Sequence, residues 1–155
     1  MLETPLAVAN SILERAELEG KRITHLQLQK LVYFVYKRLL QNTGEVLFSD
    51  FFEAWTWGPV VRKVYDCFKE YGDRNIDGYA YIDGESSVFV ISKEDIEFYD
   101  ALNWVWDNYR SHTAPELVSL THVKGGAWDT AKTEGVLEID DENIKREGWL
   151  FSVAR

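Results

Sequence analysis

The residues of this sequence that most readily support catalysis or metal binding are its three histidines and its single cysteine. His25, His112 and His122 form neither an HxxxH nor an HExxH pair, the spacings that place two metal ligands on one face of a helix. Cys67 lies in a helical pattern beside an apolar stripe, where a thiol is typically buried and unreactive. The spacing therefore predicts no catalytic cysteine and no metal site.

One pair of residues leaves an enzymatic function open. His122 with a nearby carboxylate such as Asp129 has the residue types of a general-base pair, which would suit a hydrolase. No GxGxxG or GxxxxGK[ST] segment occurs, so the sequence offers no phosphate-binding loop for a nucleotide cofactor. We therefore expect a protein without catalytic residues or cofactors, and the His122 hydrolase is the alternative.

Aromatic residues are the unusual feature of the composition. The chain carries 22 of them, six Trp, eight Tyr and eight Phe, which is more than a core of this size needs in full. Tryptophan and tyrosine are enriched where proteins contact one another, because they bury a large area and keep a polar tip. Trp55 and Trp57 share the same parity, so in an extended segment both side chains would point to one side. The aromatic surplus indicates a binding surface.

Hydrophobic periodicity and capping residues predict a mainly helical chain. The predicted helices lie near 5–19, 25–41, 58–72, 92–109 and 114–122, with a helical turn near 128–132 and a last helix starting at Asp140 or Asp141. On the second helix, Lys30, Lys37 and Arg38 are predicted to be solvated. The apolar stripes of the second and third helices should pack together, through Leu28, Leu31, Val32, Val35, Val61, Val64 and Phe68.

One hairpin is predicted beside the helices. The segments YAYID and SVFVIS alternate apolar and polar residues around Asp83, Gly84 and Glu85, which favour a turn. No linker or repeat interrupts the chain, so residues 1–155 are expected to form a single domain. The predicted fold class is α+β, mainly α: a compact helical domain of about five to six helices with one small antiparallel β-hairpin.

The charge of the chain is concentrated in its second half. Residues 1–72 have no net charge, whereas residues 73–155 carry a formal net charge of -9. Such a surface either aids solubility alone or also steers a basic protein partner, and it disfavours direct nucleic-acid binding. No apolar run approaches the ~20 residues of a membrane span, and one unpaired cysteine fits a reducing compartment. We expect a cytoplasmic protein with no membrane association.

Three motifs follow one another along the chain. The first is LQKLxYF, present from Leu28 to Phe34, and the second is EAWxxGPV, present from Glu53 to Val60. The third is SxTHxxxxxW, present from Ser119 to Trp128. In this order, and over roughly residues 5–150, the sequence resembles the Panacea antitoxin domain, known from SocA-like antitoxins and from phage-associated GepA-like proteins.

The resemblance implies a function without catalysis by this chain. It implies an antitoxin of a bacterial or phage toxin–antitoxin system, which neutralises a co-encoded toxin by direct protein–protein binding. Members of the family neutralise unrelated toxins by direct contact, and at least one acts as an adaptor that delivers its toxin to an ATP-dependent protease. For this chain, the resemblance favours occlusion of the toxin's active surface, with adaptor-type proteolysis as a variant. A phage-associated protein that binds a host protein, without a toxin, is a further alternative.

Motifs and composition together predict two sets of residues. The side chains expected to contact the partner are Tyr33, Tyr36, Trp57 and Trp128. The motif residues expected to be mainly structural are Leu31, Glu53, Ala54, Trp55, Gly58, Pro59 and His122. Trp57 occupies a position that the second motif leaves open. Whether it packs inward or faces solvent decides whether the turn is only a structural corner or also a contact surface.

Overall fold

The computed structural model describes residues 2–82 and 87–153 of the chain. Within these residues, seven α-helices accompany a two-stranded antiparallel sheet. The elements in chain order are α1 (Pro5–Leu18), α2 (His25–Thr43), β1 (Glu53–Trp55), β2 (Gly58–Val60), α3 (Arg62–Phe68), a 3-10 turn (Lys69–Tyr71), α4 (Ile96–Tyr109), α5 (Ala114–Thr121), α6 (Ala127–Glu134) and α7 (Asp141–Arg146). The predicted fold class is confirmed, and the helical turn expected near 128–132 is the complete helix α6.

Capping side chains set the helix starts that the sequence predicts. At the start of α2, the Thr24 hydroxyl accepts a hydrogen bond from the Gln27 N–H, and the Gln27 side chain accepts one from the Thr24 N–H. At the start of α4, Asp95 rather than Ser92 is the cap, because its carboxylate accepts from the Phe98 N–H. Both helices therefore begin where a side chain replaces a missing backbone partner.

Helix α2 is the centre of the fold. It contacts α1, α3, α4, α5, α7 and β2, and every side chain from Leu28 to Lys37 is buried. The side chains predicted to join α2 to α3 are all buried, which confirms that part of the core. The amide of Gln27 donates to the backbone oxygen of His112, just beyond the C-terminal end of α4. Helices α2 and α4 therefore run antiparallel. No helix in the described residues has the length and apolarity needed to cross a bilayer.

Two lysines on α2 that were predicted to be solvated are buried. Lys30 is 0% exposed and Lys37 is 1% exposed, because helices or strands cover α2 on every side and leave it no solvent-facing stripe. Arg38 is half-buried, with its guanidinium carbon 3.9 Å from the centroid of the Trp104 ring. The prediction that these two lysines are solvated, which assumed a single buried stripe on α2, was therefore wrong.

The sheet lies in a different segment from the predicted hairpin. Strands β1 and β2 pair Glu53 with Val60 and Trp55 with Gly58, and Thr56 and Trp57 form the turn between them. The prediction that Gly58 starts a helix was wrong, because its φ of +104° is far from helical values and its segment pairs as a strand. Helix α3 begins after this strand, at Arg62.

The predicted hairpin turn at residues 83–85 lies outside the described residues. On either side of it, residues 79–82 and 87–92 form no strand, although the Ile82 N–H donates to the Ser87 oxygen at 3.3 Å. Instead, residues 137–139 run beside β1, where the Ala54 N–H donates to the Leu137 oxygen and the Ile139 N–H donates to the Phe52 oxygen. Strand β1 therefore has bonded neighbours on both edges.

Candidate functional site

The three sequence motifs meet on α2. Lys30, from the first motif, donates a hydrogen bond from Nζ to the backbone oxygen of Pro59, from the second, at 2.9 Å. Gly58 packs against both Lys30 and Thr121, and Thr121 belongs to the third motif. We call this contact, defined by Lys30, Gly58, Pro59 and Thr121, the motif junction. It fixes the β1–β2 hairpin against α2 and α5.

Replacing Gly58 with alanine should destabilise the protein by roughly 2–4 kcal/mol. Its φ of +104° is rarely adopted by other residues, and an added Cβ would lie 2.7 Å from Thr121 Oγ1 and 3.0 Å from Lys30 Cε. Gly135→Ala is the matched control, because Gly135 also has a positive φ of +70° but has no neighbouring atom within 4 Å of an added Cβ. It should lose only about 1–2 kcal/mol. Urea denaturation measures both, and equal losses would show that the junction is not tightly packed.

The third motif holds the hairpin from the other side. Trp128 donates from Nε1 to the backbone oxygen of Trp55 at 2.7 Å. The His122 ring stacks on the Trp128 ring, with 3.7 Å between the ring centroids and 6° between the planes. His122 and the half-buried Trp128 thus form a support for strand β1.

Burial lowers the pKa values of Lys30, in the motif junction, and of two histidines whose pKa values the charge of Lys30 also affects, His25 and His122. It lowers the pKa of Lys30 to about 7, and no carboxylate in the described residues pairs with this ammonium. Burial and then the charge of Lys30 lower the pKa of His25 to about 4. The pKa of His122 is lowered by burial and by Lys30, against an upward effect of Asp129. At neutral pH His25 is therefore uncharged.

Glu53 ties strand β1 to α3. Its Oε1 accepts from Trp55 Nε1 at 2.9 Å and from Arg62 Nη2 at 2.8 Å, and its Oε2 accepts from Arg62 Nε at 3.3 Å. Burial alone would raise the pKa of Glu53, but the hydrogen bonds from Arg62 and Trp55 outweigh it and hold that pKa below its ordinary value. Both carboxylate oxygens are therefore engaged within the fold.

A groove of about 550 Å³ opens beside the motif junction, between the start of α2, the hairpin, α3 and α6. Its walls are mainly apolar and aromatic. The lining residues are His25, Leu26, Gln29, Ala54, Trp55, Thr56, Trp57, Val60, Tyr65, Gly72 and Lys132. Trp57 lines the groove from the turn and remains 65% exposed. We call this feature the Trp57 groove.

Trp55 and Trp57 reach the groove by different routes. The parity argument required an extended segment through both residues, but Trp57 belongs to the turn between the strands. Trp55 is half-buried, and its ring lies 4.7 Å from that of Tyr65, in an edge-to-face arrangement. In the EAWTWGPV segment the two strands are therefore packed into the fold, whereas the turn at Thr56 and Trp57 is exposed.

Two of the four side chains predicted to contact a partner lie in the core. Tyr33 and Tyr36 are 0% and 1% exposed, since α2 has no solvent-facing side in this region. The Tyr33 hydroxyl donates to Glu147 Oε2 at 3.1 Å, and the Tyr36 hydroxyl donates to Asp141 Oδ1 at 2.7 Å. Neither side chain can reach a partner in this conformation.

A buried ionic network joins α2 to the segment after α7. The Glu147 carboxylate accepts from Lys37 Nζ at 2.6 Å, from the Tyr33 hydroxyl at 3.1 Å and from the Ala127 N–H at 2.8 Å. Lys37 Nζ also lies 4.0 Å from the centroid of the Trp149 ring. Burial lowers the pKa of Lys37, and the Glu147 carboxylate partly offsets that shift. No motif or periodicity identifies Glu147 in the sequence, so sequence reasoning missed this network.

The geometry around His122 does not form an acid–base pair. Asp129 Oδ2 accepts from the Gly125 N–H at 2.8 Å, and no hydrogen bond joins Asp129 to His122 in the described part of the chain. Cys67 is exposed, contrary to the prediction, and partial burial raises the pKa of its thiol, which favours the unreactive protonated form. Among residues 2–82 and 87–153, no three His, Cys, Asp or Glu side chains are grouped to hold a metal ion. The hydrolase alternative therefore gains no geometric support.

Known proteins similar to this chain are antitoxins. The family model described as "Antitoxin SocA-like, Panacea domain" matches residues 28–129, a range that contains all three motifs. The chain is 36% identical over 126 residues to the antitoxin SocA of Caulobacter vibrioides, and the alignment covers 79% of this chain and 67% of that protein. No solved structure matches. The motif junction and the two comparisons lead to one conclusion: the chain belongs to the SocA-like antitoxin family, with a Panacea domain.

Proposed function

We propose that this chain is an antitoxin that neutralises a co-encoded protein toxin by binding it directly in the cytoplasm, as a single domain. The observation that carries the proposal is the Trp57 groove, where an exposed tryptophan stands on a hairpin that the three family motifs hold in place. Exposed aromatic side chains beside an apolar groove are typical of the residues that dominate protein–protein affinity. Membership of an antitoxin family makes a toxin the natural partner.

Neutralisation by direct contact permits two outcomes for the toxin. In the simpler one, the antitoxin covers the toxin's active surface. In the other, the bound antitoxin also contacts an ATP-dependent protease and delivers the toxin to it. Both outcomes need the same first contact, so they are separated by the toxin's lifetime rather than by binding. A toxin that persists in complex indicates occlusion, and a toxin that disappears only when the protease is present indicates delivery.

Co-expression with the adjacent open reading frame tests the proposal. Induction of that frame alone should stop growth, and induction together with this chain should restore it. The two proteins should also copurify as a complex. A neighbouring protein that is harmless alone, or that stays lethal while this chain is present in soluble form, would contradict the proposed function.

Trp57→Ala should weaken toxin binding by about tenfold or more, because truncating an aromatic anchor typically costs about 2 kcal/mol or more. The folded state should be unaffected, since Trp57 lies in an exposed turn. Ile96→Ala is the matched control: Ile96 is 71% exposed and lies at the start of α4, beside the opposite end of α2. Titration calorimetry with the purified toxin measures both variants. Equal affinities for Trp57→Ala and the wild type would exclude Trp57 from the interface.

A further inference from the structure

We propose that the Trp57 groove binds a short segment of the toxin in which a large apolar side chain stands next to an acidic one. This inference rests on the proposed function, because it specifies which chemistry of the toxin the antitoxin recognises. Three observations carry it: the aromatic walls of the groove, the charge of its lining, and the apolar surface that continues beyond it.

The walls of the groove are suited to an apolar anchor. Its volume of about 550 Å³ is typical of binding pockets, which range over about 300–1,000 Å³. The Trp55 ring packs against the Tyr65 ring, and the backbone oxygen of Trp55 accepts a hydrogen bond from Trp128. This wall is therefore formed before binding, so little side-chain ordering opposes the entry of a partner's side chain.

The charge of the lining favours an acidic group beside that anchor. Among the residues that the structure describes, Lys132 is the one charged residue in the lining, and no carboxylate of these residues lines the groove. Lys132 is exposed and forms no ion pair with any described residue. Glu53, which lies on β1 nearby, has both oxygens engaged by Arg62 and Trp55, and His25 is uncharged at neutral pH because burial lowers its pKa to about 4. In a chain of net charge -9, the groove is thus a local site that accepts a carboxylate.

The surface around the groove favours a polypeptide over a small molecule. Val136 and Leu137, which follow α6, are 48% and 55% exposed, and the Leu137 oxygen accepts from the Ala54 N–H of β1. Apolar contact area therefore continues from the groove along the edge of the hairpin. The exposed Glu134 and Glu138 flank this extension, so an acidic group is favoured only at Lys132.

Peptide selection tests this recognition without the toxin. A phage-displayed library of random peptides of about 12 residues is selected on the purified full chain, and enriched peptides are synthesised for affinity measurement by fluorescence polarisation. We expect enriched peptides to carry a Trp, Phe or Leu within a few residues of Asp or Glu. Trp57→Ala and Lys132→Glu should each weaken their binding by about tenfold or more. Replacing the peptide's acidic residue with lysine should restore part of the affinity for Lys132→Glu.

The controls are matched to the two variants. Lys145→Glu makes the same charge change on exposed α7, near Gly44 at the far end of α2, and Ile96→Ala truncates an apolar side chain at that same end. Both should bind the peptides within about twofold of the wild type. Peptides without acidic residues, peptides whose binding is indifferent to Lys132→Glu, or a selection that enriches no groove-dependent peptide would each overturn the inference.

Toxin rescue separates this inference from the proposed function. If the wild type rescues growth and the Trp57→Ala/Lys132→Glu double variant rescues equally well at the same expression level, the groove inference fails while the proposed function stands. If the peptides bind as expected but the wild type does not rescue growth, the proposed function fails and the recognition chemistry of the groove stands. Loss of rescue in the double variant alone, with both controls active, supports both.

Discussion

Replacing Glu147 with glutamine should lower the free energy of unfolding by about 3–5 kcal/mol. The Ala127 N–H donates to Oε1 and the Tyr33 hydroxyl donates to Oε2, so the single amide oxygen of glutamine can accept only one of these bonds, and the Lys37 ammonium loses its anion. The side chains of Lys37 and Glu147 are 1% and 0% exposed, so water cannot take the place of the lost charge. Urea denaturation of the purified protein, followed by circular dichroism, measures the loss.

A double-mutant cycle shows whether the cost comes from the ion pair. Lys37→Met/Glu147→Gln removes both charges together, so its loss should be much smaller than the sum of the two single losses. Glu138→Gln is the surface control, because Glu138 is exposed and should change stability by no more than about 0.5 kcal/mol. Additive single losses, or a Glu147→Gln protein as stable as the wild type, would be inconsistent with a buried ion pair.

Lys30 should make the protein more stable in mildly alkaline solution than at neutral pH, and Lys30→Met should remove this dependence. The pKa of Lys30 is about 7 in the folded state, against ~10.4 in an unfolded chain. Between these two values the unfolded chain binds more protons, so the free energy of unfolding rises with pH, by up to about 1.4 kcal/mol per pH unit. Below a pH of ~7 the lysine is protonated in both states, and this contribution stays at its lower level.

Comparison with Lys30→Met separates Lys30 from the other buried groups, among them Lys37, whose pKa is also lowered by burial. His25, with a folded-state pKa of about 4, affects stability only below its unfolded value of ~6.5, and tyrosines act above ~10. The difference between the wild type and Lys30→Met in urea denaturation at pH ~7, ~8 and ~9 therefore reports on Lys30. At pH ~7 the Met variant should be more stable than the wild type, and toward pH ~9 this advantage should shrink, because the wild type gains stability as folded-state Lys30 loses its proton and the variant has no such group. Lys145→Met, at an exposed site, should keep the wild-type slope, and an unchanged slope in Lys30→Met would assign the dependence to another group.

The parts of the fold that the sequence predicts are those governed by neighbouring residues. The capping box of Thr24 and Gln27 and the apolar stripe that follows it act within a few residues, so the start of α2 and its contact with α3 were predicted correctly. The start of α7 after Asp140 was also predicted, although the Asp140 side chain forms no capping hydrogen bond. The starts of these helices can be predicted from neighbouring residues without knowledge of the tertiary contacts.

The errors arise where distant residues decide the outcome. Gly58 and Pro59 have the composition of a helix start, but pairing with β1 and the hydrogen bond from Lys30 hold them as a strand. Lys30 and Lys37 have the composition of a solvated face, but other elements cover that face. Sequence spacing does not contain this information, because it depends on which elements pack around α2.

Within the candidate site, the sequence identified the motif residues but not their shared location. The distance between Lys30 and Thr121 in the chain hides the fact that both contact Gly58. Neither Lys132 nor Glu147 belongs to a motif or a periodic stripe, so sequence patterns do not indicate either residue. Its aromatic surplus did point to a surface, and Trp57 is the residue among the four predicted contacts that lies mostly in solvent.

The turn at Thr56 and Trp57 is exposed, and the contacts that hold the hairpin lie on either side of it. These are the two positions that the EAWxxGPV motif leaves open, and they are exposed, whereas the residues on either side of them pack against α2, α3 and α6. A mutation at either position changes what the hairpin displays and leaves the supporting contacts in place. Under the proposed function, single substitutions in this turn can therefore change which partner is bound at almost no cost in stability, because the contacts that hold the hairpin stay the same.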